Sequence, residues 1–351
     1  MSEPVTVGPL RYAVIEVTNR CNLRCPHCAS TSGAAREDEF SLDEIRELLA
    51  EIARLGGEEI TIIGGEALMR PDWPEICREV GRLGMKLLLI TNGLLIDDEA
   101  FEEIGRLRPH LIGVSIDGAS PETYRAMRGV DGFDRCMDLC RRLVADGHRN
   151  VNAITTVMRS NLHEFDAFAD LYDGTGITWQ IQIANRGGER FGRRDFITRT
   201  DFAWLAAKMR ECFVNRTGLR LRHMDDFGYF PLDPALRFLH ETWRGCIAGI
   251  ELIGVRSNGD VLGCLSMGDD FVEANLRREP LKDIWESDRY FSRFRRKEEL
   301  LFGECARCAY SKECRAGCSS IAWSATGSLG SNPYCIRSLE TQEALRTISR
   351  E

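Results

Sequence analysis

The chain of 351 residues has no long apolar segment and no excess of positive charge. Its longest apolar runs, such as KLLLITNGLLI over 86–96, are shorter than the roughly 20 apolar residues that a helix needs to span a bilayer. The N-terminus MSEPVTVGPL lacks the basic and apolar regions of a signal peptide, so we expect a cytoplasmic protein. The net charge of −8 argues against a general nucleic-acid-binding protein, which would present a basic face.

Cysteine, in contrast, is abundant, with 14 residues. A reducing compartment disfavours disulfides, so clustered cysteines are better explained as metal ligands. Four cysteines stand apart from the clusters, and we expect them to pack in the core as small apolar side chains. These are Cys77, Cys136, Cys140 and Cys212.

The first part of the chain alternates strand-like and helix-like segments. Its six strand-like segments are nearly continuous apolar runs, which is typical of a parallel sheet covered by helices. They cover residues 11–17, 59–65, 86–93, 111–118, 150–158 and 177–185. Because a closed barrel of this kind has eight such units, we predict an α/β fold with a partial, TIM-like (β/α)6 barrel.

The pattern changes beyond residue 246, where short strands, short helices and many cysteines occur. The dipeptide Asn258-Gly259 predicts a β-hairpin in this region. We therefore predict a barrel domain over 1–215, a bridging segment over 216–245 and a small cysteine-rich domain over 246–351.

Four short motifs follow the first four predicted strands. They are Cys21, Cys25 and Cys28; Gly64-Gly65-Glu66; Thr91-Asn92-Gly93; and Ser115-Ile116-Asp117-Gly118. The functional groups of such barrels gather where the strands end, at the C-terminal face. Each of the last three motifs alone would suit an ordinary turn. All four on one rim indicate a functional site.

The three cysteines of the first motif are too few for a closed zinc site, which takes four ligands. Three thiolates can instead bind three irons of a 4Fe–4S cluster and leave one iron open. The spacing C-x3-C-x2-C after the first strand, with Gly-Gly-Glu after the second, resembles the radical SAM superfamily. In that family the open iron binds the amino and carboxylate groups of S-adenosylmethionine.

The resemblance implies a set of cofactor contacts in this chain. The methionyl amino group would be bound by Glu66 and the Gly64-Gly65 backbone, and the ribose or carboxylate by Ser115 and Asp117. Further implied contacts are Asn92 at the rim, His27 packed on the adenine, and Thr155, Thr156 and Ile183 beside the adenine. His27 departs from the aromatic residue that the family usually has at this position. For the two threonines and Ile183, a plain core role in the strands is an equal alternative.

A second set of cysteines begins at Cys246. It continues with Cys264, then with Cys305, Cys308, Cys314 and Cys318 in the order C-x2-C-x5-C-x3-C, and ends at Cys335. The run 305–318 alone would suit a zinc site. The whole order, with Gly259 in place, resembles the SPASM extension of radical SAM enzymes, which holds two auxiliary iron–sulfur clusters.

The resemblance assigns these cysteines to two clusters. An outer cluster would be held by Cys305, Cys308, Cys314 and Cys335, and an inner one by Cys246, Cys264 and Cys318. The inner cluster is then one ligand short. The candidates for that position are His240, Cys212, a water and a substrate thiol, and we favour an open or substrate-accessible position.

The resemblance also implies an activity. An electron from the first cluster would cleave S-adenosylmethionine to a 5′-deoxyadenosyl radical, which removes a hydrogen atom from an unactivated carbon. The auxiliary clusters favour net oxidation of the substrate, since a nearby cluster can accept an electron. Leu265 stands where anaerobic sulfatase maturases carry an aspartate, which argues against that activity. The sequence does not identify a catalytic base.

For the substrate, we predict a ribosomally made peptide that the enzyme cross-links. The alternative is oxidation or epimerisation of a small molecule or a cofactor precursor. Because the first core strand begins by residue 11, we expect no N-terminal peptide-recognition domain. If a leader peptide must be recognised, either a separate partner protein or the barrel mouth would bind it. We also expect a reducing partner such as flavodoxin or ferredoxin, and neither nucleic acid nor membrane as a partner.

A group of arginines after the sixth strand is a candidate for binding an acidic leader or a carboxylate substrate. It comprises Arg186, Arg190, Arg193 and Arg194. Such charge runs are more often solvated loops. A metal-binding module without radical chemistry is the alternative of a different class. It would explain the C-terminal cysteines but not the rim motifs.

Overall fold

The computed structural model describes residues 7–192, 194–224, 227, 230–239 and 245–348. The strands are β1 (Tyr12–Glu16), β2 (Glu59–Ile63), β3 (Lys86–Thr91), β4 (Leu111–Ser115), β5 (Val151–Val157), β6 (Thr178–Ile183), β7 (Arg220–His223), β8 (Leu252–Val255), β9 (Asp260–Leu262) and β10 (Val272–Asn275). The helices are α1 (Leu42–Arg54), α2 (Trp73–Arg82), α3 (Asp98–Leu107), α4 (Pro121–Arg128), α5 (Phe133–Ala145), α6 (Phe165–Tyr172), α7 (Arg199–Asn215), α8 (Leu281–Glu286), α9 (Ser292–Arg295), α10 (Gly303–Ala306), α11 (Ser311–Cys314), α12 (Ser319–Thr326) and α13 (Ile336–Ile348).

The strands form one sheet in the order β10-β9-β8-β1-β2-β3-β4-β5-β6-β7. Neighbouring strands from β1 to β7 are parallel, and helices connect most of them, so the predicted α/β partial barrel is confirmed. The strand count differs, because β7 continues the sheet beyond the six predicted strands. It lies inside the segment 216–245 that we predict as a bridge.

Helix α1 shows how local sequence signals set the helix boundaries. The Ser41 hydroxyl caps its N-terminus by accepting a hydrogen bond from the Glu44 backbone N–H, and the Glu44 carboxylate accepts one from the Ser41 backbone N–H, which is a capping box. Such a cap contributes about 1 kcal/mol. Its apolar face, including Leu48 and Ile52, is buried in the main core.

Strands β5 and β6 present different side chains to their two faces. Trp179 lies on the face covered by helices, where it packs against Phe165, Phe168 and Tyr172 of α6. Its indole Nε1 donates to the Thr155 hydroxyl at 3.0 Å. Because side chains alternate along a strand, the neighbours of these residues on β5 and β6 point to the opposite, interior face.

The C-terminal part joins the same sheet. Strand β8 pairs in parallel with β1 and antiparallel with β9, so the predicted hairpin about Asn258-Gly259 is confirmed. Gly259 has φ +88°, which a residue with a side chain rarely adopts. Within the described residues, no helix combines the length and the apolar character needed to cross a membrane.

The four isolated cysteines lie where we expect them. All are at most 4% exposed and belong to the main core cluster, so their predicted packing role is confirmed. They are Cys77, Cys136, Cys140 and Cys212.

Candidate functional site

The three N-terminal cysteines lie in the loop between β1 and α1, at the C-terminal ends of the parallel strands. The Leu23 backbone N–H donates to Cys21 Sγ at 3.4 Å, and the Ser32 N–H donates to Cys28 Sγ at 3.4 Å. Burial raises the pKa of Cys21 to about 11, and the nearby Cys25 and Cys28 thiols contribute to this rise. Metal binding would therefore have to displace the thiol proton, as it does in other thiolate sites.

The Gly-Gly-Glu motif packs directly against this cysteine loop. The Gly65 N–H donates to Thr18 O at 2.7 Å, and the Glu66 N–H donates to Arg20 O at 2.8 Å. A Cβ at Gly65 would lie 2.4 Å from Arg20 O, and one at Gly64 would lie 2.6 Å from Thr18 O. The two glycines are required because the backbones of the two loops approach closely.

The Glu66 carboxylate is 1% exposed and is held by groups of the chain itself. It accepts hydrogen bonds from Thr91 Oγ1 at 2.8 Å, the Asn92 N–H at 2.7 Å and the Leu68 N–H at 3.3 Å. Burial raises its pKa, and these hydrogen bonds oppose the rise. The side chain therefore ties the loop after β2 to the loop after β3.

Asp117 forms a buried charged group with His27 and Arg128. Its Oδ2 lies 2.9 Å from His27 Nε2 and 2.7 Å from Arg128 Nε, and the Asp117 side chain is 0% exposed. Burial alone would raise the pKa of Asp117, but the Arg128 and His27 charges outweigh burial and hold the pKa at about 2. Asp117 is therefore ionised, and it orients both partners rather than standing open to a ligand.

Arg128 was not identified from the sequence. An arginine in the last turn of a helix is ordinarily explained by its interaction with the helix dipole. Here its Nη1 lies 3.4 Å from Cys25 Sγ, which links the end of α4 to the cysteine loop. One feature of the sequence could have indicated that Arg128 points inward. It lies four residues after Tyr124, so both side chains share one face of α4, and Tyr124 is buried.

The other rim residues occupy different places. Asn92 donates from Nδ2 to Asn22 Oδ1 at 2.7 Å, so it contacts the cysteine loop directly. Ser115 ends β4 and is partly exposed. The Thr155 hydroxyl donates to Ile116 O at 2.8 Å on the helix-covered face, and the alternation along β6 places the Ile183 side chain on that same face. On the interior face, Thr156 Oγ1 accepts from Gln182 Nε2 at 2.9 Å.

The arginine segment after β6 crosses over the cysteine loop. Arg186 donates from Nη1 to Ser324 O, and Arg190 donates from Nη2 to Ser32 O. A Cβ at Gly188 would lie 2.0 Å from Cys28 O. These two arginines connect parts of the chain, whereas Arg194 is exposed and Arg193 lies outside the described residues.

Glu39 connects the cysteine loop to the turn of the C-terminal hairpin. Its carboxylate accepts from the Asn19 N–H at 2.7 Å, Thr18 Oγ1 at 2.8 Å and Ser257 Oγ at 3.1 Å. Burial alone would raise the pKa of Glu39, but hydrogen bonds from Asn19 and Arg36 lower it below its ordinary value. The conformation of the cysteine loop therefore depends on contacts with the C-terminal part of the chain.

Four of the C-terminal cysteines influence one another's ionisation. Burial raises the pKa of Cys335 to about 12, and the thiols of Cys314, Cys305 and Cys308 contribute to that rise. These four side chains are therefore close enough to interact. Ser319 follows Cys318 in the chain, and its hydroxyl donates to Cys246 Sγ at 3.2 Å.

The loop that carries Cys264 lies beside the helix that follows Cys318. Ser320 of α12 donates from Oγ to Ser266 O at 3.3 Å, two residues beyond Cys264. In the described part of the chain, no three cysteine, histidine or acidic side chains converge on one metal-ion position. An iron–sulfur cluster does not need such convergence, because each thiolate binds a different iron.

One of the two candidate side chains for the missing ligand of the inner cluster can be placed. Cys212 lies on α7, where the ionisable groups acting on its thiol are Arg216, Asp166, Glu211 and Lys208. These groups lie on α6, on α7 or directly after α7. His240 lies outside the described residues.

Comparison with known proteins matches two family models. The model of the Radical SAM superfamily matches residues 15–172, and the SPASM model, an iron-sulfur cluster-binding domain, matches residues 246–309. Over 350 residues, the chain is 31% identical to an AdoMet-dependent heme synthase of Methanosarcina barkeri, covering 93% of this chain and 96% of that protein. It is 26% identical to the mycofactocin maturase MftC of Mycobacterium tuberculosis, covering 92% of this chain and 82% of MftC.

Solved structures share the fold. The structure of Streptococcus suis SuiB bound to the precursor peptide SuiA superimposes with a TM-score of 0.74 at 18% identity, covering 95% of this chain and 76% of SuiB. The structure of anSMEcpe with bound AdoMet and a peptide gives a TM-score of 0.72 at 18% identity, covering 95% of each chain.

Proposed function

The chain belongs to the radical SAM superfamily and carries a SPASM domain, and we propose that this enzyme oxidatively cross-links a ribosomally made peptide. When bound, S-adenosylmethionine and the first iron–sulfur cluster would supply a 5′-deoxyadenosyl radical that removes a hydrogen atom from the substrate. The contribution of the chain is to bind and orient these groups.

We propose that Cys21, Cys25 and Cys28 hold the radical-forming cluster. They share one loop, the sulfurs of Cys21 and Cys28 receive backbone N–H donors, and the loop is fixed by the Gly-Gly-Glu motif. This donor set fits a 4Fe–4S cluster with one open iron better than a closed zinc site.

The buried cation beside Cys25 supports a role in binding the anionic end of S-adenosylmethionine. Arg128 presents its guanidinium at the cysteine loop, where Asp117 holds it, and it would bind the carboxylate of S-adenosylmethionine. Glu66 would act by fixing the loops, and the adjoining backbone would bind the amino group. The positions of Thr155 and Ile183 favour core roles for their side chains, so an adenine contact at Ile183 would involve its backbone.

We propose that the seven cysteines of the second set hold two auxiliary clusters, as the SPASM resemblance implies. An auxiliary cluster would accept the one electron that the substrate radical loses, and a proton would leave to the medium. An external one-electron acceptor of the flavodoxin or ferredoxin class would then reoxidise the cluster. We keep the proposed boundaries of the barrel, bridge and cysteine-rich domains, with β7 extending the barrel sheet into the bridge.

The observation that favours a peptide is the open sheet. In the order of the described strands, β7 and β10 are the two ends, so the barrel does not close around a small internal cavity. An open side accommodates an extended chain that passes the cysteine loop. The MftC and SuiB similarities are consistent with this substrate class.

A second candidate substrate is a tetrapyrrole precursor of heme. It is favoured by the 31% identity to a heme synthase over nearly the full length of both chains. Both candidates use the same hydrogen abstraction and differ only in the group oxidised.

The test is to co-express the protein with short open reading frames from its own gene neighbourhood, under iron-replete and low-oxygen conditions, and to weigh the peptides. A loss of two hydrogen atoms per site would support the peptide proposal. An unchanged peptide, combined with conversion of an iron porphyrin carrying propionate groups, would support the second candidate instead. Protein that contains iron but forms no 5′-deoxyadenosine would contradict both.

A further inference from the structure

A buried ammonium group lies beside the segment that carries Cys314 and Cys318. Lys297 begins the 3-10 helix Lys297–Leu300 and is only 1% exposed. Its Nζ donates to Gly317 O at 2.8 Å, one residue before Cys318. A lysine is rarely buried to this degree unless an anion compensates its charge.

The ammonium contacts the segment that joins two of the cysteines, because Gly317, whose carbonyl it binds, donates from its N–H to Cys314 O at 2.9 Å and directly precedes Cys318. Burial lowers the pKa of Lys297, and Cys246, Cys318 and Cys314 oppose that effect, while Arg315 adds to it. Among the described residues, no carboxylate lies within ion-pair distance of Lys297, although such pairs are common elsewhere in the chain. The cysteines are therefore its available anionic partners.

The three thiols belong to both proposed clusters. Cys246 and Cys318 are assigned to the inner cluster and Cys314 to the outer one. Leaving a charge buried without a partner is strongly unfavourable, even after local relaxation. Thiolates that bind iron carry the negative charge that would offset this cost, whereas neutral thiols do not.

We propose that the Lys297 ammonium is a counter-ion shared by the two auxiliary cluster sites, and that it raises their reduction potential. This inference rests on the proposed function, because it needs the auxiliary clusters to be present. Reduction adds one electron to a cluster that is already anionic, and a fixed cation in a low-dielectric interior stabilises the reduced form. Lys297 is a positioning and tuning residue and touches no substrate.

Three substitutions separate charge from shape. Lys297→Gln keeps a hydrogen-bond donor for Gly317 O but removes the charge, Lys297→Met removes both, and Lys297→Arg keeps the charge. The matched control is Lys282→Met, which removes an exposed ammonium from α8 in the same part of the chain. Each protein is prepared anaerobically, and its iron content, electron paramagnetic resonance spectrum and cluster midpoint potentials are measured.

We expect Lys297→Gln and Lys297→Met to lower the midpoint potential of an auxiliary cluster by at least about 59 mV. For a one-electron couple, this corresponds to a tenfold decrease in the equilibrium constant for reduction. Lys297→Arg and Lys282→Met should leave it near the wild-type value. Loss of auxiliary iron in Lys297→Gln that Lys297→Arg restores would also support the counter-ion. An unchanged potential at full iron content, or iron loss in all three Lys297 variants, would overturn it. Wild-type protein with iron for only one cluster would instead refute the auxiliary clusters of the proposed function.

Discussion

Arg128 Nη1 lies 3.4 Å from Cys25 Sγ, while Nε of the same guanidinium lies 2.7 Å from Asp117 Oδ2. The residue therefore connects a buried carboxylate at the end of β4 to the loop that carries the three N-terminal cysteines. Two features of the rim that are far apart in the sequence depend on each other through this contact.

We expect Asp117→Asn to destabilise the metal-free protein by about 3–5 kcal/mol, because removing one partner of a buried ion pair leaves the other charge uncompensated. Denaturant unfolding at neutral pH measures the change. The control is Asp131→Asn, since Asp131 pairs with Arg125 at the surface, where both side chains are more than half exposed. That variant should lose less than about 1 kcal/mol. Equal losses in the two variants would contradict the buried network.

The lowered pKa of Asp117 predicts that the stability of the protein depends on pH. The pKa of Asp117 is lowered from 3.8 to about 2, so its contribution is fully present above about pH 4 and is lost as the pH falls through 2. That contribution is about 2 kcal/mol. The difference in unfolding free energy between wild type and Asp117→Asn should therefore be larger at pH 6 than at pH 3. A difference independent of pH would show that Asp117 is not ionised in the folded protein.

Gly65→Ala tests the contact between the Gly-Gly-Glu motif and the cysteine loop. The new Cβ would lie 2.4 Å from Arg20 O, so the backbone must move, at a cost of about 1–3 kcal/mol. We expect a lower iron content per chain after anaerobic reconstitution, together with reduced stability. Gly81→Ala in α2 is the control, because nothing lies within 4 Å of the Cβ that this position would gain. It should be neutral or about 1 kcal/mol more stable. Full iron content in Gly65→Ala would contradict the packing argument.

Features that depend on neighbouring residues could be predicted from the sequence. The capping box of Ser41 and Glu44 and the hairpin turn at Asn258-Gly259 are set by contacts within a few residues, and the hairpin prediction is confirmed. Strand β7 was missed because its sequence, RLRH, is short and charged. Its strand conformation comes from pairing with β6, which is a tertiary contact.

In the site, too, the features set by local sequence could be predicted and those set by tertiary contacts could not. The sequence spacing placed the cysteines and the motifs on one rim, and the structure agrees. The sequence did not show that Asp117 pairs with His27 and Arg128, since these ion pairs depend on the relative positions of three separate segments. It also did not show that Arg186 and Arg190 bind backbone carbonyls rather than facing solvent. The ligand roles of the cysteines stay predictions until iron is measured.

Glu66→Gln distinguishes a loop-fixing role from direct cofactor binding. The carboxylate accepts three hydrogen bonds, and an amide nitrogen would face at least one of those donors, so we expect a loss of about 1–3 kcal/mol in stability. If the side chain only fixes the loops, the folded, cluster-loaded variant should bind S-adenosylmethionine with a Kd less than about tenfold weaker, a difference of about 1.4 kcal/mol. Isothermal titration measures the Kd. A larger loss of affinity at unchanged stability would show that the carboxylate binds the amino group. Glu102→Gln, on the exposed face of α3, is the control.

Single cysteine substitutions should separate the two chemical roles. Cys25→Ala removes a proposed ligand of the radical-forming cluster and should abolish 5′-deoxyadenosine formation. Cys335→Ala removes a proposed ligand of the outer cluster, so it should lower the iron content and prevent product while some cleavage of S-adenosylmethionine continues. Cys140→Ala is the control, because Cys140 is fully buried in the core and belongs to neither set of proposed ligands. It should lose stability through its cavity but keep wild-type iron and activity. Continued 5′-deoxyadenosine formation by Cys25→Ala would refute the assignment of the N-terminal loop, since a cluster held by only two of its three proposed thiolates should not stay intact.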